Sequence, residues 1–396
     1  MLKKILVLAF AFQLILNISR PAFPLYANQM GASTFIIGLL TAAYAVLPLV
    51  FAISAGKIAD KIGDRLPIIF GMTGLGMGML LPWIWPSLTT LFISQLLTGL
   101  GSVFAAVSLQ NVLGNASPPD RRDAYYSYFS TVNSLASVVG PLASGYLIQH
   151  VSYNAVFVAG MLTYLISMGF TRKLPNIKQA GRSEKVRFVD SIGLLKVVPL
   201  RKALIGNALS LYSRDIFLAY FPLFALQRDI PVDVSGWILA LQGFAMVIIR
   251  FLLPKLYRFG FQTVLNASII IGGVSFVGIA ISESVFWLCF WSILLGFGLG
   301  CGQPISMTVA YNSSPKSRTG EVLGLRLAMN RISQLSAPMF FGLLGSSLGL
   351  VSIFYASGFM LLGGAWMIRT ERHAPPSNET DGEEDTANEN VTKYNP

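Results

Sequence analysis

Gly56-Lys57-Ile58-Ala59-Asp60-Lys61-Ile62-Gly63-Asp64-Arg65 is a charged, glycine-flanked stretch wedged between two long apolar runs, 34–56 and 66–85. Runs of that length cross a bilayer as helices, because lipid offers free backbone N–H and C=O groups no partners. So short a link joins two adjacent spans on one membrane face. Lys57, Lys61 and Arg65 assign that face to the cytoplasm, where loops collect cations.

The rest of the chain agrees. Of 396 residues, 54% are hydrophobic and only 12% charged, about half the charged fraction of a typical soluble protein. The formal net charge of +11 does not indicate a nucleic-acid partner, because most cations sit in short loops on one side. Cys289 and Cys301 fall in apolar runs. On one helix they would stand roughly 18 Å apart, too far for a disulfide. The basic, apolar start of the chain continues without a small-residue cleavage site, so it reads as a first span rather than a secretory signal.

Twelve spans are expected: 5–29, 34–56, 66–85, 88–113, 124–149, 152–171, 201–227, 232–257, 262–282, 284–311, 320–346 and 350–369. With both termini inside, the opposite loops hold only Arg228, and inverting the topology would destroy that asymmetry. The expected organisation is an N-terminal six-helix half at 1–171, a basic cytoplasmic linker at 172–200, a C-terminal six-helix half at 201–372, and a disordered acidic tail at 373–396. Two glycosylation sequons in the tail read as chance matches.

The halves repeat each other. Pro24-Leu25-Tyr26 returns as Pro222-Leu223-Phe224 and Gly38 as Gly236, both offset by 198. Gly99 and Gly101 return as Gly296 and Gly298, Asn133 as Asn330, and Pro141 as Pro338, all offset by 197. Near-constant spacing implies two like-oriented halves related by an axis along the membrane normal.

On these residues the chain resembles the major facilitator superfamily over essentially all of 1–372. The opening stretch is similar to that family's signature between helices two and three, at Gly56, Ile58, Ala59, Asp60, Lys61, Gly63 and Arg65, with Asp64 where a basic residue is usual. The resemblance implies a conformational latch that favours the outward-open state, with Asp60 as its acid and Arg65 as a partner. In the expected fifth span, Gly140-Pro141-Leu142-Ala143-Ser144-Gly145 is similar to a motif of drug–proton antiporters, with Ser144 replacing a glycine. A packing kink and a directional role both remain open for Gly140, Pro141 and Gly145. Gln95 stands where the family often carries an arginine ahead of Gly-x-Gly.

Charges at membrane depth are costly and face a cavity or a partner. Arg20, Arg214, Arg250, Arg326 and Arg331 fall inside expected spans, whereas Asp215 is the one carboxylate placed deep in a span. Arg250 is close enough to a span end to snorkel. Asp215 is expected either to carry a proton or to hold an ion pair, with Arg331 as its partner in one conformer. Asn133, Asn330 and Gln95 are further candidates for substrate or coupling contacts, although each alone reads first as an interhelical hydrogen bond.

These features describe an all-α membrane protein with a major facilitator fold, a secondary transporter working by alternating access. Efflux of small amphiphiles is favoured by the resemblance of the fifth span. Uptake or exchange of organic anions is favoured by the arginine excess. Proton coupling is expected, with the lipid bilayer and a small-molecule substrate as partners, in a monomer at the cell membrane. No cofactor or metal is expected. No phosphate-binding Gly-x-x-x-x-Gly-Lys-Ser/Thr motif occurs, and no nucleophile–base pair marks an enzyme. A non-transporting receptor is the alternative from another class.

Overall fold

The computed structural model describes residues 1–118, 121–171, 197–313 and 319–368. The expected tail at 373–396 and linker residues 172–196 lie outside them. The helices are α1 (Leu2–Gln29), α2 (Thr34–Ile62), α3 (Arg65–Ile84), α4 (Leu88–Ala116), α5 (Arg122–His150), α6 (Tyr153–Thr171), α7 (Val198–Leu226), α8 (Val232–Leu256), α9 (Phe261–Ile281), α10 (Val285–Gly300), α11 (Gly302–Ser313), α12 (Thr319–Leu348) and α13 (Leu350–Met367). Among the described residues, eleven spans are long and apolar enough to cross a membrane, α10 and α11 counting as one. The 30 residues of α12 are also long enough, but the helix carries Arg326 and Arg331 and is not among the eleven. α7 starts at Val198, so the linker expected at 172–200 ends slightly earlier.

The opening stretch is more helical than expected. α2 runs through Gly56, Asp60 and Lys61 to Ile62, leaving only Gly63 and Asp64 between helices. Gly63 stops the helix: its φ is +89°, a region that favours glycine, and its N–H closes on the Ala59 carbonyl at 2.9 Å. Its repeat counterpart Gly260 has φ +86° after α8. The repeat therefore reaches the backbone stops as well as the apolar pattern.

The span expected at 284–311 is broken at Cys301. Pro304 has no N–H, so the Gly300 carbonyl four residues earlier loses its helical partner. Arg250 supplies one instead, its Nε donating to Gly300 O at 3.4 Å and its Nη2 to Gln303 Oε1 at 3.3 Å. Arg250 thus binds a helix break rather than snorkelling outward.

Two bundles result, α1–α6 and α7–α13, and one continuous apolar core cluster runs through both. They meet where α2 packs on α12, α5 on α8, and α1 on α7. Under the repeat, α2 corresponds to α8 and α5 to α12, so the first two interfaces exchange. An axis along the membrane normal requires that. We call the face where α1 begins the terminal face and its opposite the far face.

Candidate functional site

The contact between halves is closest toward the far face. A Cβ on Gly236 would stand 2.7 Å from Pro141 O and 3.1 Å from Gly145 Cα. On Gly38 it would stand 2.9 Å from Gly342 Cα and closer still to Pro338 O. Only glycine lets the backbones approach this far. Pro141 and Gly145 are thus part of a seam between halves, while Gly140 packs on Asn17 of α1. Gln149 Oε1 accepts from Val232 N at 3.0 Å, and His150 Nε2 meets Asp233 Oδ2 at 3.2 Å. Toward the terminal face, residues 126–128 of α5 are exposed at consecutive positions, so that helix end is not packed on every side.

Beneath the seam a cavity is lined by Arg20, Tyr44, Gln95, Asp215 and Gln334, with Thr41 and Pro338 completing its wall. Arg20 Nη1 donates to Asp215 Oδ1 at 3.0 Å. Gln334 Nε2 donates to Asp215 Oδ2 at 3.0 Å, and Arg331 Nη1 donates to Gln334 Oε1 at 2.9 Å. In this conformer Asp215 pairs with Arg20 of the other half, and Gln334 stands between Asp215 and Arg331, the partner expected in one conformer. The pairing depends on how α1 crosses α7. Arg20 and Asp215 remain 26% and 13% exposed, so the pair is reachable from the cavity.

The other candidates divide. Gln95 lines the cavity. Asn330 accepts from Asn207 Nδ2 at 2.5 Å, and buried Arg326 donates from Nε to Ser306 Oγ at 2.9 Å, so both stitch the C-terminal half together. Asn133 Oδ1 is buried without a hydrogen-bond partner among the described residues. Of the latch residues, Lys61 is exposed and Arg65 half-buried, while the side chain of Asp60 lies outside the described residues. Asp64, the departure from the family pattern, is 2% exposed, and its Oδ1 accepts from Asn111 Nδ2 at 3.4 Å. Asp64 is thus tied to α4. Tyr44 was not singled out from sequence. Its signal lay in the repeat, which maps it onto Gln242, a polar residue deep in α8.

A family model for the Major Facilitator Superfamily matches residues 5–256 and 203–393. The chain belongs to the major facilitator superfamily. An uncharacterised MFS-type transporter of Methanocaldococcus jannaschii is 24% identical over 365 residues, covering 89% of this chain and 93% of that protein. The class B tetracycline resistance protein of Escherichia coli is 23% identical, covering 82% and 83%. The quinolone resistance protein NorA of Staphylococcus aureus is 22% identical, covering 94% and 97%. The nucleoside transporter NupG shares the fold at TM-score 0.82 and 14% identity, covering 93% of this chain and 98% of that one. This superfamily member is a multi-pass membrane transporter of small molecules, not an enzyme.

Proposed function

We propose that the protein is a secondary transporter that exports a small organic solute, amphiphilic or anionic, by alternating access coupled to protons. The observation that carries this reading is the Arg20–Asp215 pair, which joins the two halves at 3.0 Å where the cavity meets the seam. Protonating Asp215 removes one of the two charges and weakens the link across the halves, so a proton can bias their rocking. The drug-resistance names of two relatives support export.

The positive-inside pattern supports a cytoplasmic terminal face in the plasma membrane, with both termini inside. The sealed seam and open terminal side then correspond to an inward-facing conformer. The α2–α3 connection, with Asp60, Lys61 and Arg65, serves as the latch of the opposite conformer. The protein works as a monomer.

Flux in proteoliposomes with an imposed pH gradient tests the proposal. Wild-type protein should drive lipophilic solutes against their gradient, and Asp215→Asn should transport without responding to pH. An Asp215→Asn variant with unchanged pH dependence removes Asp215 from coupling.

A further inference from the structure

Arg214 sits beside Asp215 in the middle of α7, half-buried at membrane depth. No hydrogen bond or ion pair within 4.0 Å engages it among the described residues. The nearby carboxylate is already used on both oxygens, Oδ1 by Arg20 and Oδ2 by Gln334. The other charges that act on Arg214 are the guanidinium groups of Arg20 and Arg250, both of its own sign. Arg250 is held in place by Gly300 O and Gln303.

An unpaired guanidinium is costly at this depth, and two like charges add to the cost. Neighbouring guanidinium groups are satisfied: Arg326 by Ser306 and Arg331 by Gln334. Among the described residues, Arg214 thus differs from Arg20, Arg250, Arg326 and Arg331, each of which has a hydrogen-bond acceptor. Arg20 and Asp215 cancel, and Arg214 is left with neither a counter-ion nor a hydrogen-bond acceptor within reach among the described residues. One carboxylate would neutralise it, and a guanidinium binds a carboxylate through two parallel hydrogen bonds.

We propose that Arg214 is the substrate's anion-binding residue, taking the carboxylate of a small organic anion beside the Arg20–Asp215 pair. This deepens the transporter reading and rests on it for the word substrate. Such a solute would place its carboxylate on Arg214 and its apolar part against Leu218, one helical turn further along α7, which lines the cavity. The same chemistry would accept inorganic phosphate, so the test includes it.

The test is thermal unfolding of the purified full chain with sodium benzoate, sodium phosphate, sodium chloride at equal ionic strength, or tetraphenylphosphonium chloride. Benzoate should raise the wild-type Tm by several degrees, and chloride and tetraphenylphosphonium should not. Arg214→Gln should unfold at a higher temperature than wild type without ligand, having lost an uncompensated charge, and should show no benzoate shift. A merely structural arginine would give a less stable variant with the shift intact, which overturns the proposal. If Arg214→Gln does not fold, Arg214→Lys decides: a benzoate affinity at least tenfold weaker supports the site, and an unchanged affinity overturns it. A wild-type shift with phosphate alone, or with no anion, also overturns it. Binding is read here without any gradient, so benzoate binding with pH-independent flux would sink proton coupling and leave this site standing.

Discussion

The seam between the halves has two clasps, one between α2 and α12 and one between α5 and α8. Their backbones correspond position by position: Gly38 against Pro338 and Gly342 in the first, Gly236 against Pro141 and Gly145 in the second. Their side chains do not. Beside the first, buried Tyr220 of α7 donates to Pro338 O at 3.0 Å, within the C-terminal half. In the second, Gln149 receives Val232 N, and half-exposed His150 reaches Asp233. Backbone contact between like halves needs glycine on both sides of the axis, so duplication keeps it. The polar finish only has to satisfy local donors and acceptors, and it has diverged.

The largest way to break the comparison is Gly38→Ala. A methyl group there meets backbone rather than a yielding side chain, so the far face should not close. Overpacking of this kind costs about 1–3 kcal/mol, and flux should fall roughly tenfold or more, since ~1.4 kcal/mol is a factor of ten. Gly236→Ala should do the same by a smaller margin, because its nearest backbone atom is farther away. Spin-label distances across the far face report both. A Gly38→Ala protein that still populates the closed far face would mean that the clasps are not the seal.

Asp215→Asn comes next. It leaves Arg20 facing a neutral amide on the axis between the clasps. Complete burial would make the loss ~3–5 kcal/mol, but both side chains are partly exposed, so about 1–2 kcal/mol is expected after solvent screening. Chemical denaturation reads it, and no change in stability would show that the clasps alone hold the halves. Tyr220→Phe removes the α7–α12 hydrogen bond that steadies Pro338 beside the α2–α12 clasp and should cost about 1 kcal/mol. His150→Ala should have the smallest effect, below about 1 kcal/mol, because exposed ion pairs contribute little. If His150→Ala proved costlier than Tyr220→Phe, the order of the two clasps would be reversed.

Much of the fold was legible because the apolar runs and the repeat constrain each helix locally. The same repeat located both clasps without naming them, since Gly38 with Gly236 and Pro141 with Pro338 were visible as recurring pairs. The break at Cys301 was legible in principle from Pro304, but a continuous apolar run hid it. The site was less legible. Arg20 and Asp215 were both recognised as costly charges, yet not as partners, because depth along a helix says nothing about which face it presents. Asp64 looked like a defect in a motif until α4 brought Asn111 to it.

By itself the sequence determined that the chain spans a membrane and that it does so in two related halves, because lipid acts on each segment where it stands. Only the tertiary structure decided which charges meet. Arg20 and Asp215 are 195 residues apart, and their contact depends on the crossing of α1 and α7. It also decided which face is shut, since one sequence encodes both conformers of a rocking carrier and only their packing distinguishes them. The stretch at the α2–α3 connection belongs to both accounts: its helix and its stop are local, and the burial of Asp64 is not.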